Sequence, residues 1–144
     1  QNTDSSAVLQ TAEKAGKRAF GWDSDMTAYG PKAHLGSAII NWAPYYIKAT
    51  KDALEGTWTT GGVWWGHKEG AIDLVSIADD VPAEIKAKID TIKAGLKDGS
   101  FHPWTGPIVD QSGKEVLAKD QKADDAFLGG VKFYVKGVEG KVPQ

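Results

Sequence analysis

The period of the apolar positions changes several times along the chain, and the changes mark its elements. Thr3-Asp4-Ser5-Ser6 is a run of helix-capping residues, and Ala7, Val8, Ala12 and Ala15 behind it suit a helix that stops at Gly16. Ala19-Phe20-Gly21-Trp22 is then a short apolar run of strand length that breaks off in Asp23-Ser24-Asp25-Met26. A capped helix directly before such a strand is the second half of a βαβ unit, and buried parallel strands of open α/β sheets deliver polar groups to their carboxyl edge. Tyr29-Gly30-Pro31 marks a turn, after which Ile39, Ile40, Ala43, Ile47 and Leu54 fall near one face of a predicted helix from Leu35 to Leu54. Pro44 lies inside that pattern and predicts a kink that frees the carbonyl of Ile40.

Gly62-Val63-Trp64-Trp65 and Ala71-Ile72-Asp73-Leu74-Val75 are predicted strands on either side of the charged break Gly66-His67-Lys68-Glu69-Gly70. Asp79-Asp80-Val81-Pro82 supplies a cap and an N1 proline for a helix carrying Ile85, Ile89, Ile92 and Leu96, whose Glu84, Lys86, Lys88, Asp90 and Lys93 form a solvated face. Beyond Gly99, the segment from Phe101 to Val109 feeds a short strand, and Gln111-Ser112-Gly113 turns it into a second one at Lys114 to Leu117. Asp124 to Gly130 suits one or two helical turns, and Val131-Lys132-Phe133-Tyr134-Val135 alternates like a half-exposed strand before a frayed tail.

The 144 residues suffice for one α/β domain with a sizeable core. Their net charge of −2 offers no basic patch for a nucleic acid or an anionic membrane, so no nucleic-acid partner is expected. Zero cysteines exclude disulfides, thiolate metal sites and cysteine nucleophiles. No apolar segment is of bilayer length, and Gln1-Asn2-Thr3-Asp4 has no signal-peptide pattern, so the chain is expected to be mature or cut from something longer. The six tryptophans change the picture more, because such rings serve either a core or the flat walls of a site for a planar ligand.

The polar inventory is short. His34, His67 and His102 have no metal-ligand spacing, and neither a nucleophile elbow nor a phosphate loop is present. Asp23 and Asp25 flank one serine, and if the strand continues they face opposite sides, which suits ligand hydrogen bonding better than shared protonation. The same carboxylates could instead close an Asx-type turn. Asn41 and Trp42 precede Pro44 at a point suited to ligand contacts, Trp65 offers a second ring, and Lys68 is either a solvated turn charge or a hydrogen-bond donor to a cleft. Aromatic rings with a few hydrogen-bonding groups on sheet edges suit a binding protein for a small, flat, polar molecule, without metal or cofactor. A nucleoside-processing enzyme using Asp23 or Asp25 as base is the alternative from another class, and it lacks an accompanying nucleophile, metal cluster or phosphate loop.

Taken in order, Gly21-Trp22-Asp23-Ser24-Asp25, Gly30-Pro31-Lys32-Ala33, Ser37 with Asn41-Trp42 and Tyr45-Tyr46, Trp65-Gly66-His67-Lys68-Glu69-Gly70, and Thr105-Gly106-Pro107-Ile108 with Asp110-Gln111-Ser112-Gly113 resemble the basic membrane protein (BMP) family. These are extracytoplasmic substrate-binding proteins of ABC transporters, of the purine nucleoside receptor type. The resemblance covers nearly the whole chain and implies the type I periplasmic-binding-protein fold, two Rossmann-like α/β lobes that close on ligand. Members are about twice as long, so the chain is expected to be roughly the C-terminal half. Residues 1–66 would be the later part of the second lobe, and 67–144 the hinge crossing and the segments returning between lobes.

The resemblance further implies that Asp23, Ser24, Asp25, Met26 and Lys68 line the cleft with Asp4 nearby, and together with Asn41, Trp42, Trp65 and Gly66 these are the expected ligand contacts, with no catalytic residue. A purine base or nucleoside would be the ligand and an inner-membrane ABC permease the partner, beside the missing N-terminal half. The location would be periplasmic or otherwise extracytoplasmic, with a lipid anchor on a region outside this chain as one route to it. Nucleoside-binding members carry an acidic residue for the ribose hydroxyls at about the position of Ala43, where this chain has Asn41-Trp42-Ala43-Pro44. A free base is therefore as good an expectation as a nucleoside.

Overall fold

A computed structural model describes residues 5–142, and Asp4, named above as a ligand group, lies outside them. The chain falls into two compact units, Gln1–Ser100 and Phe101–Gln144. In the first, helix α1 (Ala7–Lys14) precedes strand β1 (Ala19–Asp23), a 3-10 turn spans Thr27–Tyr29, and strand β2 (His34–Ile40) follows. Helix α2 (Ala43–Glu55), strand β3 (Ile72–Val75) and helix α3 (Ala83–Asp98) complete the unit. The sheet has the order β1-β2-β3, with β1 parallel and β3 antiparallel to β2. The predicted α/β class with a parallel pair is therefore observed.

Local chemistry explains the elements. Leu9 is the buried anchor of α1, and Gly16, at φ 63°, supplies the left-handed residue that lets the chain turn into β1. The helix predicted over Leu35 to Leu54 is instead two elements, β2 and α2. Its first part, Leu35-Gly36-Ser37-Ala38-Ile39-Ile40, carries β-branched residues and a glycine that suit a strand, and tertiary pairing on both sides overrides the helical period. Pro44 consequently stands in the first turn of α2, where its missing N–H has no helical partner to lose, so it starts a helix rather than kinking one.

Three further expectations are corrected. Gly62 to Trp65 forms no strand; Gly61-Gly62 leaves the backbone unconstrained, Val63 and Trp64 stay exposed, and only Trp65 finds a ring partner, meeting Tyr45 edge-on at 6.0 Å. The break at 66–70 is thus a turn closed by Ala71 N–H donating to the Gly66 carbonyl at 3.0 Å, leading into β3 alone. Pro82 is the N-cap of α3, not its first helical residue, and Lys93 leaves the solvated face to reach the sheet, donating to Asp73 Oδ1 at 2.8 Å and to the Leu74 carbonyl at 3.0 Å.

In the second unit, β4 (Ile108–Val109) and β5 (Glu115–Leu117) form the predicted hairpin, and Asp110 Oδ1 accepts from the Ser112 and Lys114 amides within its turn. Helix α4 (Asp125–Gly129) is capped by Asp124, which accepts from the Phe127 amide at 2.7 Å. Val131 to Val135 does not form the predicted strand: only Val135 bridges to Asp110, because the neighbouring β4 is too short to template more.

Candidate functional site

Strand register brings the candidate residues to one edge of the sheet. Asp23 pairs with Ile39 at the carboxyl end of β1, and Ile40 pairs with Ile72 where the antiparallel β3 begins. The segments that follow β1 and β2 and the one that precedes β3 therefore leave from the same side. Asp23 to Met26, Asn41-Trp42 and Trp65 to Lys68 occupy those three segments. This is the edge where open α/β sheets take ligands.

Along that edge the candidates divide. Asp23, Ser24 and Met26 line a hollow of about 460 Å³ together with Ser5, Ser6, Trp22 and Tyr29. Asn41, Trp42 and Trp65 line another of about 390 Å³, with Tyr45 and Val63 among its walls. The two share no residue, and both fall in the size range of small-molecule sites. Trp42 stacks on Tyr46 at 6.0 Å and 22°, and the Asn41 side chain accepts from the Ala43 amide at 3.2 Å, an Asx turn just before α2. Gly66 donates its amide to Glu69 Oε2 at 2.9 Å, which lowers the Glu69 pKa, and Lys68 is exposed in the same turn.

Asp23 and Asp25 have different environments. The loop after β1 folds back over the sheet, so Asp25 points away from the hollow that Asp23 lines and toward the end of β3. Its Oδ1 accepts from the Thr27 amide at 3.0 Å and the Thr27 hydroxyl at 2.6 Å, and its Oδ2 accepts from the Ser76 hydroxyl at 2.5 Å. Those bonds, Ser76 first and then Thr27, hold its pKa down at about 2. The Asp23 carboxylate accepts no hydrogen bond among the described residues, and Asp23 sits at φ 71°, a left-handed conformation uncommon for a residue with a side chain. Asp25 thus builds the loop, while Asp23 presents an open carboxylate to the hollow.

Because the folded pKa of Asp25 lies below its ordinary value, its contribution is complete above about pH 4 and disappears as pH falls through about 2. The Thr27 amide should accordingly lose its downfield shift and exchange faster over that window, as an NMR titration would report. An unchanged Thr27 amide down to pH 2 would contradict the bonding described.

Met26 closes the loop. Its amide donates to Ser37 Oγ at 3.0 Å, and its sulfur accepts from the Trp22 amide at 3.4 Å. Gly21 makes room for it, since a Cβ there would lie 2.9 Å from Met26 Cβ and would overlap Ser37 Oγ. Trp22, 36% exposed, and Tyr29 are rings beside the Asp loop that sequence reasoning did not single out. Their signal was adjacency: Trp22 directly precedes Asp23 in the same motif.

An apolar groove of about 370 Å³ runs between the sheet and α3, lined by Trp22, Ile39, Ile72, Leu74, Ile89 and Ile92. Its polar members, His67, Asp73 and Lys93, are engaged with one another or with backbone, as where Asp73 meets Lys93 at 2.8 Å and His67 Nδ1 lies 2.9 Å from the Ile72 carbonyl oxygen. It therefore presents few groups to orient a polar ligand.

Comparison with known proteins bears on this geometry. A purine-binding protein of Brucella abortus (strain 2308) is 42% identical over 144 residues, which are all of this chain and 41% of that protein. The chain thus spans about two fifths of that relative's length. The crystal structure of a transcriptional activator of the comK gene from Bacillus halodurans superposes with a TM-score of 0.62 at 20% identity, over 68% of this chain and 35% of that one, a likeness of fold. The family model for PnrA-like ABC transporter substrate-binding proteins matches residues 1–97, and the chain belongs to that family, Bmp.

Proposed function

We propose that the chain is the C-terminal part of a two-lobed solute receptor that captures a purine base or nucleoside and delivers it to an ABC permease, without catalysis. The observation that carries this reading is the carboxyl edge of the sheet, where the open carboxylate of Asp23 lies beside Trp22 and Tyr29 in a hollow of about 460 Å³. A carboxylate accepts from the N–H groups of a purine, and the flat faces of Trp22 and Tyr29 suit its ring. Ser24 and Met26 complete this wall. Family membership and the purine-binding relative support the choice of ligand class.

Asn41, Trp42, Trp65, Gly66 and Lys68 form the adjoining stretch of the same edge, and the family resemblance adds Asp4, outside the described residues, to the proposed ligand set. Asp25 acts by holding the loop in shape. In the complete receptor, residues 1–66 belong to the second lobe and 67–144 to the crossing segments, and closure of the first lobe dries the site and strengthens its hydrogen bonds. An extracytoplasmic location follows from the same role.

Mass spectrometry of the small molecules that copurify with the full-length receptor tests the ligand class: adenine, adenosine or a close relative is expected, and a solute without a purine ring would overturn it. Trp22 supplies a second readout. Purine addition should quench tryptophan emission, and Trp22→Phe should remove most of that quenching while Trp64→Phe, at a ring 73% exposed, should not.

A further inference from the structure

Beneath the Asp loop lies a buried polar chain that ligand contact alone does not require. His34 is 2% exposed and Ser37 fully buried, both on β2, where an unpaired polar group is costly. His34 Nε2 lies 2.8 Å from Ser37 Oγ, and its Nδ1 lies 3.3 Å from Thr27 Oγ1. Ser37 Oγ already accepts from the Met26 amide, and the Thr27 hydroxyl already donates to Asp25 Oδ1 at 2.6 Å.

For a neutral ring, these end points fix the direction of every hydrogen between them. Asp25, ionised at neutral pH because its pKa is held at about 2, can only accept, so the Thr27 proton goes to Asp25. Thr27 Oγ1 then has only lone pairs to offer the ring, so Nδ1 must carry the proton. Nε2 of the neutral ring is an acceptor, and the Ser37 hydroxyl, whose lone pair takes the Met26 amide, donates to it. One continuous chain results, from the Met26 amide through Ser37 to His34, and from His34 through Thr27 to Asp25.

We propose that His34 is a positioning residue for the candidate ligand loop, a neutral imidazole with its proton on Nδ1 that ties the Asp25-Met26-Thr27 end of the loop to β2 and so sets the angle at which Asp23 meets its ligand. The inference rests on the purine-receptor reading only for what the loop binds; the tie itself is independent of it. Protonation of His34 would place a second donor against Ser37 and turn the serine hydroxyl away from the ring, leaving it to seek another acceptor in a buried setting. The charges facing this region are Arg18, which donates to the His34 carbonyl at 3.1 Å, and Asp25, Lys32, Asp79 and Asp80 around the neighbouring hollow. Arg18 is paired with Asp80, and Asp25 is coupled to the ring through the Thr27 hydroxyl.

Two measurements on the full-length receptor test this. Nitrogen-15 NMR of the His34 ring should show a proton on Nδ1 and an unprotonated Nε2 at neutral pH, and the opposite tautomer would overturn the proposal. His34→Gln can still accept from Ser37 but does not reach Thr27, so the Thr27 and Met26 amide resonances should move and adenine affinity should fall about three- to tenfold. Unmoved loop amides in the variant would count against it. If neither protein binds adenine, the receptor reading fails, and the tautomer and the loop resonances still decide the role of His34.

Discussion

Replacing Asp23 by glycine should weaken purine binding by about 1.5–3 kcal/mol, roughly ten- to a hundredfold, while the fold becomes no less stable. The affinity loss follows from deleting the carboxylate that the loop leaves open to the hollow. The stability result follows from backbone geometry: at φ 71° a side chain is strained and glycine is not, a difference of up to about 1 kcal/mol that offsets the greater freedom of glycine in the unfolded chain. Asp25→Ala should behave differently, because that carboxylate accepts three hydrogen bonds within the protein and its loss loosens the loop as well as the site. Calorimetric titration and thermal melts on both variants of the full-length receptor would separate them. Equal affinity in Asp23→Gly and wild type would remove Asp23 from the site.

Gly21→Ala should be among the most damaging single-methyl additions in the first unit, at about 1–3 kcal/mol of stability. The new Cβ would occupy the space of Ser37 Oγ and press on Met26, the two groups through which the Asp loop is anchored to β2. Ligand affinity should fall with stability, since loop and anchor move together. Gly62→Ala is the control: a Cβ there meets nothing within 4 Å, so its effect should stay within about 0.5 kcal/mol. Urea denaturation of the pair gives the comparison, and equal midpoints would show that the packing beneath the loop is looser than described.

The part of this arrangement visible in the sequence was the part governed by local chemistry. The glycines that end α1 and α3 and the Asp110 turn between β4 and β5 act within a few residues, and they marked these elements near their observed places, whereas neither α1 nor α3 receives a capping bond from the side chain at its N-cap. The helix expected over Leu35 to Leu54 failed because Ile39 and Ile40 satisfy a helical period and a strand equally well, and pairing with β1 and β3 decides between them. Trp64 and Trp65 looked like strand residues by composition, yet with Gly61-Gly62 before them no partner strand fixes the segment. At the site, the motif around Asp23 and Asp25 was plain, whereas the different uses of its two carboxylates depend on Ser76, distant in sequence. The same holds for His34: an isolated histidine has no sequence signature, and its role comes from the fold-back that sets Thr27 and Ser37 on either side of its ring.

Hydrogen–deuterium exchange of the full-length receptor, with and without saturating adenine or adenosine, tests the placement of the ligand most directly. The amides of residues 22–29, in which Thr27 is held by Asp25 of the same loop and Met26 by Ser37 of β2, should exchange markedly more slowly as a segment once the purine is bound. Unchanged exchange across 22–29 in a protein that calorimetry shows to be saturated would contradict the assignment of the site to the Asp23 hollow.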